Sequence, residues 1–222
     1  MPGDEWSALR GEVRLLARLD GRHVGRRRRV FGADQHGYRS SPVSVADVRD
    51  LEAYAGTALP DDFRQFLLNV GSGAGPYYGI STVGDIKAEL EDMRITADHA
   101  DRPPPRPDRP FPLTREQAVE AAARWETIVA SAHLDGCLII GHQGSGTQWS
   151  VLAISGPLAG TMWDLAWFAG LEAEWFPARP PPTVLDAKNP PVDIATPPTF
   201  LEWFKAWIYR ARSPLRSARD GD

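Results

Sequence analysis

Two glycine-rich stretches are where this chain could do chemistry. In "GHQGSGTQW" (141–149), Ser145 stands between glycines with His142 three residues before it. A nucleophile elbow needs glycines two residues either side of the serine, and those positions hold Gln143 and Thr147. No third residue that would orient His142 is identifiable from its spacing. The stretch therefore reads as a β-turn between strands, with a small hydrolase site at His142 and Ser145 as the competing reading. The other stretch is "GSGAGPYYG" (71–79). A dinucleotide fingerprint needs a strand before its glycines, a helix after them, and a third glycine five residues past the first. Here a helical pattern precedes, Pro76 holds the third glycine's place, and no Lys-Ser or Lys-Thr pair follows for a P-loop. A helix C-cap followed by a tight turn fits better than a phosphate cradle.

The remaining reactive residue types are dispersed. Cys137 is the single cysteine, and His23, His36, His99, His133 and His142 share no helical or turn spacing, so neither a metal site nor a bound cofactor is expected. "GRRRRV" is short, lacks interleaved aromatics and sits in a chain of net charge −4, which points to a solvated loop rather than a nucleic-acid contact. Asp85, Glu89, Glu91 and Asp92 concentrate acid in one short stretch. They form either a recognition patch for a basic partner or a solvated helix face.

The elements that must position these residues follow from periodicity. Trp6, Leu9, Val13 and Leu16 mark an amphipathic helix over residues 4–19. A loop with at most a short strand separates it from a second helix, opened by Ser44 with Asp47, striped by Val45, Val48 and Leu51, and ended by Gly56. A third helix starts at Pro60, with Asp61 and Asp62 at the positive end of its dipole. Its inner face carries Phe63, Phe66, Leu67 and Val70, and Gly71 stops it. The proline-rich segment 102–112 reads as an extended surface loop. After it, Thr114 and Gln117 open a helix carried by Val119, Ala122, Trp125, Ile128 and Val129. "CLIIG", "WSVLAISG" and "TMWDLAWF" read as three strands, the last two joined by "SGPLAG". A second proline-rich loop, 179–198, leads to a closing helix capped by Thr199 and Glu202, with Phe200, Phe204, Trp207 and Ile208 facing inward. Trp125, Trp163, Trp203 and Trp207 are expected in the core. Helices, then strands, then a helix, without βαβ alternation, indicate α+β with a mainly antiparallel sheet flanked by helices.

Composition is ordinary for a globular chain: 222 residues, 42% hydrophobic and 24% charged, enough for one domain with extended loops. No apolar run approaches the roughly 20 residues that span a bilayer. The acidic, amphipathic start is unlike a signal peptide, and one cysteine suits a reducing cytoplasm.

Over residues 59–80 the sequence resembles the SUKH superfamily, the domain of the Smi/Knr cell-wall regulators and of many bacterial immunity proteins. The pattern "E…G…LP.DY..FL" followed by "G.G.GP.YG" is matched by Glu52, Gly56, Leu59, Pro60, Asp62, Phe63, Phe66, Leu67, Gly71, Gly75, Pro76, Tyr78 and Gly79. A later block is matched by Gly141, Gly144, Gly146, Trp149, Leu152, Ile154, Gly156, Pro157, Gly160 and Trp163. "PTFLEWFKAWI", with Trp203, is similar to the family's closing helix. The blocks run in the family's order across residues 43–209. The resemblance implies a non-enzymatic, single-domain protein that binds other proteins. In bacteria these are typically immunity proteins that neutralise toxins such as nucleases and deaminases; in eukaryotes they are regulatory scaffolds. The motif glycines, prolines and aromatics then serve as scaffold, and Asp85, Glu89, Glu91 and Asp92 are the residues to examine for partner binding.

Overall fold

The computed structural model describes residues 2–21, 28–124, 128–129, 134–167, 173–178 and 196–217. Its elements run α1 (Pro2–Asp20), α2 (Ala33–His36), β1 (Ser40–Ser41), α3 (Val45–Ala55), α4 (Asp61–Asn69), β2 (Ser72–Gly73), α5 (Val83–His99) and α6 (Arg115–Arg124), then β3 (Ile128–Val129), β4 (Cys137–His142), β5 (Gln148–Ala153), β6 (Met162–Trp167), β7 (Ala173–Pro177) and α7 (Phe200–Ser217). The fold is α+β. Two antiparallel sheets are present, a small β1-β2 pair and a five-stranded sheet of order β3-β7-β6-β5-β4.

Local chemistry sets the helix ends. Ser44 Oγ accepts the Asp47 N–H at 3.1 Å, and Gly56 closes α3 in the left-handed region. Glu52 Oε1 accepts the Leu59 N–H at 3.2 Å and meets Arg64 Nε at 3.4 Å, so this one carboxylate ties the α3–α4 turn shut. Thr199 and Glu202 cap α7 reciprocally, as the sequence indicates.

The large sheet is covered on both faces, which is why its central strands read as nearly continuous apolar runs. Toward the helices it presents Leu138, Ile140, Leu152, Ile154 and Met162, packed with the inner stripes of α1, α3, α4, α5 and α7. Phe66 lies at this centre, edge-on to Phe200 and Phe204 with ring centroids 4.9 and 4.7 Å away. The opposite face presents Cys137, Ile139, Val151, Trp163, Leu165 and Trp175.

That second face corrects the sequence reading of 102–112 as a surface loop. Pro105, Pro107 and Phe111 are buried, and the segment lies as a strap over the sheet. Proline donates no N–H, so such a strap can cover apolar surface without leaving many donors unmade. The donors it has are used: Arg106 N–H bonds Asp135 at 2.7 Å and Phe111 N–H bonds the Ser155 carbonyl at 3.1 Å. Gly156 and Pro157 form the turn beneath it. A Cβ on Gly156 would stand only 3.0 Å from Pro110 Cβ.

Other expectations fail for tertiary reasons. Val45 and Val119, expected on inner stripes, are 47% and 40% exposed, and Ala118 takes the inward place on α6. Ile128 and Val129 do not continue α6; they pair with Trp175 and Glu174 as an edge strand. Among the described residues the sheet has five strands rather than three, since β3 and β7 escaped the pattern. Arg28 is not a solvated loop cation but sits 5.2 Å over the Tyr38 ring. Trp125, His23, His133 and most of the second proline-rich loop lie outside the described residues. Trp163, Trp203 and Trp207 are core.

Phe66→Ala should cost about 3–5 kcal/mol, because the ring is fully buried and its surroundings relax only partially into the space. Urea unfolding of both proteins measures this; an unmoved midpoint would contradict the packing.

Candidate functional site

The glycine-rich turn after α4 is a structural joint. Gly73 and Ile80 exchange both backbone hydrogen bonds at 2.8 Å, closing the turn on itself. Its outer side then docks on the edge of β4, with Tyr78 N–H donating to the His142 carbonyl at 3.3 Å and Ser81 N–H to the Ile140 carbonyl at 2.9 Å. A β-bulge at Ile140 offers that carbonyl, since Ile139 and Gly141 face consecutive residues Val151 and Ser150. Gly79 is required here: its φ is +101°, and a Cβ would stand 2.0 Å from the Gly73 carbonyl oxygen. The N–H groups of Gly71, Gly73, Ala74, Tyr78, Gly79 and Ile80 all have backbone acceptors, so these donors serve to hold the turn.

Docking the turn on β4 brings the two glycine-rich motifs together. The Tyr78 ring lies against Gly144, and its exposed part faces a cleft of about 480 Å³ between the turn, α2 and α5. The α5 wall carries Asp85 and Glu89, one helical turn apart, and His142 enters from the end of β4. His142 Nε2 lies 2.8 Å from Glu89 Oε1, joining sheet to helix. Asp85 completes a capping box, its Oδ2 accepting the Thr82 hydroxyl at 2.6 Å and the Thr82 N–H at 3.2 Å. The sequence reading missed that cap.

The four acidic residues therefore do not form one patch. Asp85, Glu89 and Asp92 recur at i, i+4 and i+7 on one side of α5, and Asp92 is exposed. Glu91 faces α3 instead, accepting the Tyr54 hydroxyl at 2.9 Å with Arg94 3.4 Å away. Nor are His142 and Ser145 assembled as a dyad. Ser145 Oγ sits 3.2 Å from Thr147 Oγ1 in an exposed turn, while His142 is held on Glu89. Cys137 is buried in the sheet, and burial pushes its thiol far above its ordinary value, away from thiolate chemistry. Among the described residues no group of three or more His, Cys, Asp or Glu side chains could hold a metal ion, and no helix is long and apolar enough to cross a membrane.

His36 was only one of five scattered histidines in the sequence, yet it lines the cleft. It is 7% exposed and packs edge-on to Tyr38 and Trp207. Nδ1 accepts the Tyr38 N–H at 3.0 Å, which leaves the proton of the neutral ring on Nε2. Beside it, Asp20 at the end of α1 accepts the Tyr38 hydroxyl at 2.7 Å and the Arg29 N–H at 2.8 Å. Burial and the neighbouring Arg28 charge bring the His36 pKa down to about 4, with the Gly75 carbonyl and Asp20 opposing. No spacing rule announces this cluster, because its members come from the end of α1, the following loop and α2.

No family model matches the chain, and no curated protein or solved structure is significantly similar to it.

The His36 environment fixes a pH dependence. The folded protein holds the ring neutral down to about pH 4, whereas the unfolded chain takes up the proton near pH 6.5. Its contribution is therefore complete above about pH 6.5 and is lost as pH falls toward 4, amounting to about 3 kcal/mol at most. Denaturation midpoints across that window should fall in the native protein, and the His36→Gln variant should lack this component. Identical pH slopes in the two proteins would contradict the assignment.

Proposed function

We propose that the protein acts in the cytoplasm by binding and inhibiting a basic toxin domain of the nuclease or deaminase type, as an immunity protein. The SUKH resemblance supplies the mode. The single observation that supports it best is the meeting of the two resembling blocks, where "GPYYG" docks on "GHQGSG" and the shared motif residues act as scaffold around one cleft. Gly75, Pro76 and Gly79 shape the turn, Leu59, Pro60, Phe63 and Phe66 seat α4 beneath it, and Gly156, Pro157, Trp163 and Trp203 close both faces of the sheet. The scaffold leaves the acidic side of α5 exposed beside the cleft, on a chain of net charge −4.

Nuclease domains are basic because they meet phosphate backbones, so an acidic inhibitor gains long-range attraction. Such steering acts on association rate and specificity more than on raw affinity. A stable interface buries roughly 1,200–2,000 Å² in total, more than one side of a helix provides, so neighbouring loops belong to it.

The test is capture of the toxin-like product of an adjacent reading frame, followed by association kinetics. The rate should fall steeply with salt. Glu89→Lys with Asp92→Lys should slow it by about tenfold or more. Tight binding indifferent to salt and to both reversals would remove the acidic face from the interface. Absence of protection against every neighbouring toxin on co-expression would remove the immunity role.

A further inference from the structure

We infer that the cleft beside Tyr78 receives a basic side chain, arginine in preference to lysine, presented on a protruding loop of the protein partner. This rests on the inhibitory-binding reading and gives it a location.

Among the described residues that line the cleft, Asp85 and Glu89 are present and neither lysine nor arginine is. The cations of α5 are held elsewhere: Lys87 Nζ lies on Asp50 at 2.8 Å, and Arg94 lies over the Tyr54 ring beside Glu91. Among the described residues the cleft thus holds two carboxylates, of which Glu89 meets His142 and neither meets a lysine or arginine. Glu89 engages His142 through Oε1, and Oε2 has no partner among the described residues.

Shape and aromatic character select arginine. Tyr78 is 40% exposed although its ring is steadied by Gly144 on one side and by Phe31, 6.3 Å away between centroids, on another. A half-exposed, fixed aromatic ring near a carboxylate suits a planar guanidinium, which stacks on the ring while its N–H groups reach the acid. The cleft is open to solvent on one side, and its volume of about 480 Å³ leaves room for one side chain. His36 adds a different group to the wall. It is buried, with Nε2 closed off from solvent and the Gly75 carbonyl beside the ring, so it is a fixed part of the wall.

The experiment titrates the full chain with a blocked triarginine peptide, with blocked triglutamate and free arginine as controls, and follows backbone amide shifts. Triarginine should give saturable shifts at Tyr78, Ser81 and Glu89, with triglutamate giving none and free arginine binding more weakly than the peptide. Tyr78→Ala should weaken binding by about fivefold, as expected for losing a partly exposed cation–π contact. Tyr78→Phe should bind like the native protein, and Glu89→Gln should bind more weakly. Equal shifts with triglutamate would overturn the inference, as would triarginine affinity unchanged in both Tyr78→Ala and Glu89→Gln. Free arginine binding better than the peptide would replace a protein loop with a small molecule. A captured toxin whose binding ignores both variants refutes the cleft while inhibition stands. Triarginine binding as expected with no toxin captured leaves the cleft standing and removes the inhibitory role.

Discussion

Two backbone hydrogen bonds on the edge of β4, from Tyr78 and Ser81, are the constraint on which the rest of this structure depends. An edge strand presents unpaired N–H and C=O groups that would otherwise template association with another chain. Here the turn after α4 occupies that edge, so the helical layer is anchored to the sheet by backbone as well as by apolar packing. The geometry works only with a glycine at position 79 and a bulge at Ile140, one on each side of the joint. The shape of the cleft follows. Its floor is the turn, one wall is α5, which starts two residues after the docked Ser81, and His142 closes it because β4 ends there.

Charge is distributed around that joint with some economy. The capping carboxylate of Asp85 stabilises the start of α5 near the positive end of its dipole and remains an anion facing the cleft. Glu89 both ties α5 to β4 and carries charge toward solvent. Lys87 and Arg94 of the same helix lie toward α3, where Tyr54 and Asp50 meet them and Glu91 of α5 pairs with Arg94. A helix with an excess of carboxylates, whose cations Lys87 and Arg94 both lie on the α3 side, is therefore polarised across its width. This is why reading Asp85, Glu89, Glu91 and Asp92 as one patch was too coarse.

What the sequence made legible was local. Helix caps at Ser44 and Thr199 and the stripe of Phe63, Phe66 and Leu67 could be read because their partners lie within a turn or two. The glycine-rich turn that ends α4 was readable too. The strands "CLIIG" and "WSVLA" were visible because a sheet buried on both faces needs unbroken apolar runs. The misses were non-local. Val45 and Val119 fit a helical period, but the layers they would face are already filled by other residues. Ile128 and Val129 join the sheet because β7 offers an edge 45 or more positions later in the chain, which helical periodicity cannot foresee. The proline-rich strap looked like surface because proline usually is, yet an element with few donors is well suited to cover a second apolar face. The cleft itself depends on register between the turn and β4, and no spacing in the sequence encodes it.

Inhibitory binding through this face is tested most directly by amide hydrogen exchange of the protein, alone and with its captured partner. Binding through the cleft and the acidic side of α5 predicts new protection concentrated at residues 78–81 and in the first three turns of α5, with the strap and α6 unchanged. Protection confined to the strap and α6, on the opposite face of the sheet, would contradict it.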